Sequence, residues 1–175
     1  MAMRLGGGLL VIAALVVVAC GGPAFKSATY GYSVTLPSGW TTVQATKAWD
    51  GIQAYNHESP ESDQLVGPAA ASAWAVAAPT DKDLAGYTTE LIAATARDHG
   101  DTCTAPPGAQ DSIKVGSDPG TLIAWNCGIL INLAAAVHNG RACVFGFRDP
   151  AVPAATDAAD RSTFVSLLES VRFPD

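Results

Sequence analysis

Three histidines, His57, His99 and His138, and four cysteines, Cys20, Cys103, Cys127 and Cys143, are the side chains of this sequence best suited to acid–base, nucleophilic or metal chemistry. A serine hydrolase would need its nucleophile in a Gly-x-Ser-x-Gly or Ser-x-x-Lys frame, with a histidine as base in the first case. Neither frame occurs, and the same holds for the His-Glu-x-x-His zinc motif and the Gly-rich phosphate loop. His57, Glu58, Glu61 and Asp63 cluster in one stretch and offer oxygen ligands of the kind hard cations take. Their spacing matches no EF-hand, and Ser59-Pro60 interrupts them, so a solvated acidic loop is expected and no metal or cofactor. Four tryptophans remain. Trp40 and Trp125 fall in strand-like runs and read as core, whereas Trp49, in the polar setting Lys47-Ala48-Trp49-Asp50-Gly51, is expected to be exposed. Trp49, Trp74 and Tyr87 are the candidate partner- or ligand-binding residues, because aromatic side chains anchor interfaces and line apolar grooves.

Charge and length exclude other classes. The chain has 175 residues with 10 Lys and Arg against 16 Asp and Glu. Without residues 1–19, which hold Arg4 as their one charge, 9 cations face 16 anions and the net charge is −7. Nucleic-acid binding rests on clustered cations, so it is not expected. A mean hydropathy of +0.21 is inflated by the same leader. What remains is the size of one domain.

That leader begins with a short cationic start at Met1 to Arg4 and continues as an apolar run, Leu9 to Val18. The run is shorter than the roughly 20 residues a spanning helix needs, so it reads as a secretory signal. It closes on Val17-Val18-Ala19-Cys20 followed by Gly21-Gly22-Pro23, which resembles the lipobox of bacterial lipoproteins. The resemblance implies a diacylglyceryl thioether on Cys20, cleavage between Ala19 and Cys20, and palmitate among the acyl chains. Several chains hold a protein on a bilayer where one does so marginally. The expected organisation is a signal peptide at 1–19, a lipidated tether at 20–29 and a domain at 30–175, exported and anchored to the outer face of the plasma membrane.

With Cys20 assigned to lipid, three cysteines are left in an oxidising compartment. Three pairings are open. Cys103–Cys127 is preferred, because Cys103 lies in a Pro-rich loop and Cys127 beside a strand end. Cys143, in Ala142-Cys143-Val144-Phe145, is then a buried free thiol.

The elements that must position these residues follow from periodicity. Tyr32, Val34 and Leu36 alternate with polar residues as a half-buried strand, Pro37-Ser38-Gly39 turns, and Trp40 to Gln44 returns. Gly51 to Asn56 and Ala71 to Ala78 read as strands separated by a surface loop over His57 to Pro68. Thr80 to His99 reads as a helix capped by Thr80 and ended by Gly100, with Leu84, Tyr87, Leu91 and Ala94 on one face. Asp111 to Arg148 reads as an antiparallel meander, turning at Ser117-Asp118-Pro119-Gly120 and at Asn139-Gly140. A two-residue Asn-Gly turn sets His138 opposite Arg141, Ala136 opposite Cys143, Ala134 opposite Phe145 and Asn132 opposite Phe147. Both faces of that hairpin are apolar, which requires a sheet covered on both sides. A second helix begins near Asp157 and carries the stripe Phe164, Leu167, Leu168, Val171.

The phrase Tyr30-Gly31-Tyr32-Ser33-Val34-Thr35-Leu36-Pro37-Ser38-Gly39-Trp40 resembles the opening of PsbP-like proteins, including the LpqN-type lipoproteins of actinobacteria. The close, a helix with Phe164 to Leu168 leading into Ser170-Val171-Arg172-Phe173, is similar to theirs. The resemblance implies an α/β/α sandwich with a central antiparallel sheet flanked by two helices, and an accessory or binding role without a shared catalytic apparatus. The expected function is thus a non-catalytic module for an envelope protein or component. The alternative is a carrier of a small apolar ligand held between sheet and helix by Tyr87, Leu91, Trp74 and Phe147. An envelope hydrolase is the third reading.

Overall fold

The computed structural model describes residues 22–51, 60–100, 102–104, 110–148, 150 and 158–175. Its elements are β1 (Ala24–Lys26), β2 (Ser33–Thr35), β3 (Thr41–Val43), β4 (Asp63–Val66), β5 (Ser72–Pro79), α1 (Leu84–His99), β6 (Gln110–Val115), β7 (Asp118–Asn126), β8 (Leu130–His138), β9 (Arg141–Arg148) and α2 (Ala158–Glu169). Strands β1 and β2 pair as a ribbon, and the others form a seven-stranded antiparallel sheet in the order β3-β4-β5-β9-β8-β7-β6.

The β8–β9 hairpin carries the registration of the sheet. Asn139 and Gly140 adopt φ of 48° and 73°, the positive values a two-residue hairpin turn needs. The observed partners are His138–Arg141, Ala136–Cys143, Ala134–Phe145 and Asn132–Phe147, as the turn predicts. Side chains alternate across a strand and paired residues share a face, so this register sorts the core into two layers. One layer holds Ala73, Ala75 and Ala77 of β5, Cys143, Phe145 and Phe147 of β9, and Ala134 and Ala136 of β8. The opposite layer holds Trp74, Val76 and Ala78 with Val144, Gly146, Leu133 and Ala135.

Each layer has its own cover. Phe147 stacks on Phe164 at 5.4 Å and Phe145 meets Tyr32 edge-on at 5.5 Å, so α2 and the β1–β2 ribbon lie over the phenylalanine face. Helix α1 covers the tryptophan face, crossing β8 and β7 on its way from β5 to the far edge strand β6. Phe164, Leu167, Leu168 and Val171 are all buried, as are Tyr87, Leu91 and Ala94 of the other stripe, while Leu84 is half-buried. The result is the expected α/β/α sandwich.

Several local expectations are corrected. Ala24–Lys26 is a strand paired with β2, and Phe25 is buried, so the packed domain reaches back into the stretch read as tether. The segment has too few residues to show periodicity, and β2 supplies the template. Trp40 to Gln44 does not return against Tyr32 to Leu36. Its core, β3, pairs with β4 in the large sheet, and the Pro37–Gly39 turn carries the chain from the ribbon to that sheet. The loop expected over His57 to Pro68 contains β4, with Asp63 and Leu65 buried. The strand expected at Gly51 to Asn56 lies outside the described residues beyond Gly51, whereas α2 begins at Ala158, next to the expected Asp157. The turn expected at Ser117 to Gly120 sits earlier, between the paired Val115 and Asp118. Gly116 takes φ 62° there, and a Cβ on it would stand 2.4 Å from the Val171 carbonyl oxygen. Pro119 is tolerated inside β7 because pairing with β8 begins one residue later, at Gly120. The cap of α1 is Asp83, whose carboxylate accepts from the Gly86 N–H at 2.8 Å; Thr80 serves the loop, accepting from Lys82 N–H at 3.2 Å.

The Cys103–Cys127 disulfide joins the turn after α1 to the end of β7. Beside it Thr104 and Asn126 exchange backbone hydrogen bonds at 2.8 and 2.9 Å. Closing a loop of 24 residues' separation stabilises by about 3 kcal/mol on chain entropy. A Cys127→Ser chain is therefore expected to lose about that much in urea unfolding. A second test is Gly146→Ala. Its Cβ would fall 2.0 Å from Trp74 Cζ2, inside an indole that is itself walled in. A loss of about 3 kcal/mol is expected, partly recovered when Trp74→Leu is added.

Candidate functional site

Two of the three aromatic candidates meet at one end of the sheet. A cleft of about 470 Å³ is lined by Trp49 to Gly51, by Ala78 to Lys82 at the end of β5, and by Tyr87 and Glu90 of α1. Two stretches of sequence build it: one at Trp49 to Gly51, the other running from the end of β5 through the connection into the first turns of α1. Thr80 N–H donates to the Gly140 carbonyl at 2.8 Å, which fixes the β5–α1 connection to the central hairpin. Asp83 caps α1 and sets the direction in which Tyr87 and Glu90 project. Trp49 is held through its backbone: its N–H donates to the Tyr30 hydroxyl at 3.1 Å, while that hydroxyl donates to the Glu61 carbonyl. Lys82 and Glu90 form an ion pair at 3.0 Å, exposed enough that its contribution to stability is small. Asp50 and Asp81 leave the rim acidic.

The expected exposure of Trp49 is corrected. Trp49 is buried, with 5% of its surface accessible, so it forms the wall of the cleft and does not project from it. Trp74 lies deeper on the same side of β5, 2% exposed against Gly146, and is core. The single cavity imagined between Tyr87, Leu91, Trp74 and Phe147 does not form. Phe147 shares a face with Ala73, opposite the neighbouring Trp74, and packs against Phe164 and Trp40.

The acidic stretch is also divided. Asp63 is buried, and its Oδ1 accepts from Ala45 N–H at 2.8 Å, so it serves the fold as a backbone clamp. Glu61 pairs with Lys47, and His57 and Glu58 lie outside the described residues. Among the described residues no three His, Cys, Asp or Glu side chains approach closely enough to hold a metal ion. Ala19 and Cys20, the expected cleavage and lipidation positions, also lie outside the described residues. No described helix is long and apolar enough to cross a membrane.

A second site escaped the sequence reading, which set His138 opposite Arg141 beside the Asn139–Gly140 turn and assigned it no role. A cavity of about 200 Å³ lies under Phe173, Pro174 and Asp175 and is lined by Tyr30, His138, Arg141 and Cys143. His138 Nδ1 lies 2.7 Å from Asp118 Oδ2, and its ring stacks on Phe173 at 4.7 Å. The signal for it was present in the register, which sets residues 138 and 143 on one face, but Asp118 and Phe173 reach it only through the tertiary fold. A thiol, an imidazole and a carboxylate thus share one neighbourhood without forming a nucleophilic dyad. Burial pushes the Cys143 thiol up to about 12, so it is protonated at neutral pH. His138 already engages Asp118 with one nitrogen and the Pro174 carbonyl, at 3.1 Å, with the other.

The thiol's raised value has a defined consequence for stability. The folded chain keeps its proton up to about 12 while the unfolded chain releases it near 9.0, so stability present below pH 9 is lost as pH rises between those values. Relative to Cys143→Ala, the natural chain is expected to lose one proton's slope more, about 1.4 kcal/mol per pH unit in that window, measurable by urea unfolding between pH 9 and 11. Equal slopes would show that the thiol is not buried as described.

No protein-family model matches the sequence, and no curated protein matches it. Solved structures do. The cyanobacterial PsbP, CyanoP, of Synechocystis aligns with a TM-score of 0.60 and 9% identity over 93% of this chain and 99% of its own. A protein of Bacteroides thetaiotaomicron aligns with a TM-score of 0.52 and 11% identity over 89% of this chain, which spans 49% of that protein's length. At such identities the likeness speaks for architecture. The order of strands, the two covering helices and these alignments agree on one conclusion: this chain has the PsbP-like fold.

Proposed function

We propose that this protein is an exported lipoprotein, tethered to the outer face of the plasma membrane by lipid on Cys20 after cleavage behind Ala19. Its PsbP-like domain acts without catalysis as a binding or accessory module for a protein or other component of the cell envelope. The observation that carries the binding role is the cleft at Trp49 and Tyr87. It is open to solvent and assembled from two stretches of sequence, and its lining offers an acidic rim on aromatic walls with no serine, cysteine or histidine among the described residues. Aromatic walls with a charged rim are the features by which protein surfaces recognise a partner. The occupied His138 and the protonated Cys143 support the same reading at the second site. Export is supported by the lipobox-like close of the leader and by the Cys103–Cys127 disulfide, a bond that persists in oxidising compartments.

The acidic rim favours a partner surface carrying positive charge. A photoreactive amino acid at Lys82, used in cells with the native membrane, is expected to give one dominant protein adduct. Asp81→Lys is expected to weaken that adduct about tenfold by placing like charges together. A chain that instead co-purifies with lipid in native mass spectrometry and yields no adduct would be an apolar-ligand carrier. The anchor has its own test: Cys20→Ala must abolish the diacyl mass and release the protein from the membrane fraction.

A further inference from the structure

The Asn139–Gly140 turn sets His138 at the end of the hairpin, opposite Arg141. Four groups close on its ring. Asp118 Oδ2 lies 2.7 Å from Nδ1, and Phe173 stacks on the ring with planes 19° apart. Nε2 lies 3.1 Å from the Pro174 carbonyl oxygen and also 3.1 Å from Asn139 Nδ2. The carboxylate accepts only, so Nδ1 carries a proton in every state that keeps the Asp118 contact. Nε2 is the nitrogen whose protonation can change. When protonated it donates to Pro174. When unprotonated it accepts from the Asn139 amide and turns a lone pair toward the Pro174 carbonyl, which has none but lone pairs to offer. The Asn139 amide can rotate to suit either state. The Pro174 carbonyl cannot become a donor.

The C-terminal strap depends on that contact. Up to Arg172 the chain is held by paired backbone bonds with Ser33, at 2.8 and 2.9 Å. Beyond it, the strap is held by the Phe173 stack and the His138–Pro174 hydrogen bond. Beneath it lies the cavity of about 200 Å³ with Tyr30, Arg141 and Cys143. The charged and titratable groups facing His138 are Asp118 from β7, Arg141 and Cys143 from β9, Tyr30 from the β1–β2 connection and Asp175 from the strap itself. Tyr30 and Cys143, both pushed up by burial, stay neutral across the range in which an imidazole titrates.

We propose that His138 is a proton-operated latch: its imidazolium holds residues Phe173–Asp175 closed over the cavity at Cys143, and loss of the Nε2 proton releases them. The full chain, solubilised in detergent and labelled with ¹⁵N-histidine, is titrated by NMR across about pH 5 to 8.5. The Nε2 resonance is expected to move from the protonated to the unprotonated position while Nδ1 stays protonated. Amide exchange at Phe173, corrected for its intrinsic pH dependence, is expected to rise at least about fivefold over the same transition, a population change that the loss of one hydrogen bond produces. His138→Phe keeps a ring for Phe173 to stack on and has no proton to lose, so its strap is expected to exchange at a pH-independent corrected rate. The proposal is overturned if the proton leaves Nδ1 instead, if Phe173 exchange does not follow the titration, or if His138→Phe keeps the same pH dependence. Should that variant fail to fold, the first two readings on the natural chain decide.

Discussion

The burial of one sheet on both of its faces is the constraint from which the other features descend. Strands β5, β8 and β9 have no solvent side along most of their length, so each residue must suit one of two different covers. A shift of one residue in the β8–β9 pairing would send Phe145 and Phe147 under α1 and Val144 and Gly146 under α2. Neither helix could accept that exchange. Trp74 would lose the empty space above Gly146, and Phe164 would lose its ring partner. The Asn139–Gly140 turn prevents the slip at its source, because a two-residue loop admits one register.

The same hairpin connects the fold to both candidate sites. Its turn receives the Thr80 N–H and thereby positions the β5–α1 connection that floors the acidic cleft. Its last pair, His138 and Arg141, frames the cavity under the C-terminal strap. Tyr30 links the two regions. Its hydroxyl bonds to Trp49 and Glu61 on one side, and its carbonyl accepts from Arg141 Nη1 at 3.4 Å on the other. The two sites differ in character. One is open and acidic with aromatic walls, and the other is covered by the chain's own residues.

The regular parts of this architecture were legible because they rest on local rules. The meander, its closing register, the two amphipathic helices and the Cys103–Cys127 pairing all follow from turn chemistry, side-chain alternation and cysteine context. The misreadings share a cause. Asp63 and Leu65 look like loop residues until Thr41–Val43 and Ala73–Ala75 arrive on either side of them. Phe25 looks like tether until β2 pairs with its strand. Trp49 has polar neighbours in sequence and an apolar environment in space.

By itself, the sequence determined the lack of recognised catalytic frames, the two-faced apolar hairpin and its pairing, since each depends on residues within a few positions of one another. Only the tertiary structure decided which aromatic lies on which side of the sheet, that Trp49 and Tyr87 share a cleft while Trp74 does not, and that His138 meets Asp118, Phe173 and Pro174. The contacts of His138 alone reach 36 residues along the chain, to Pro174. They form because a helix or strap crosses the sheet and lands where shape and hydrogen bonding allow, a choice that no local pattern encodes.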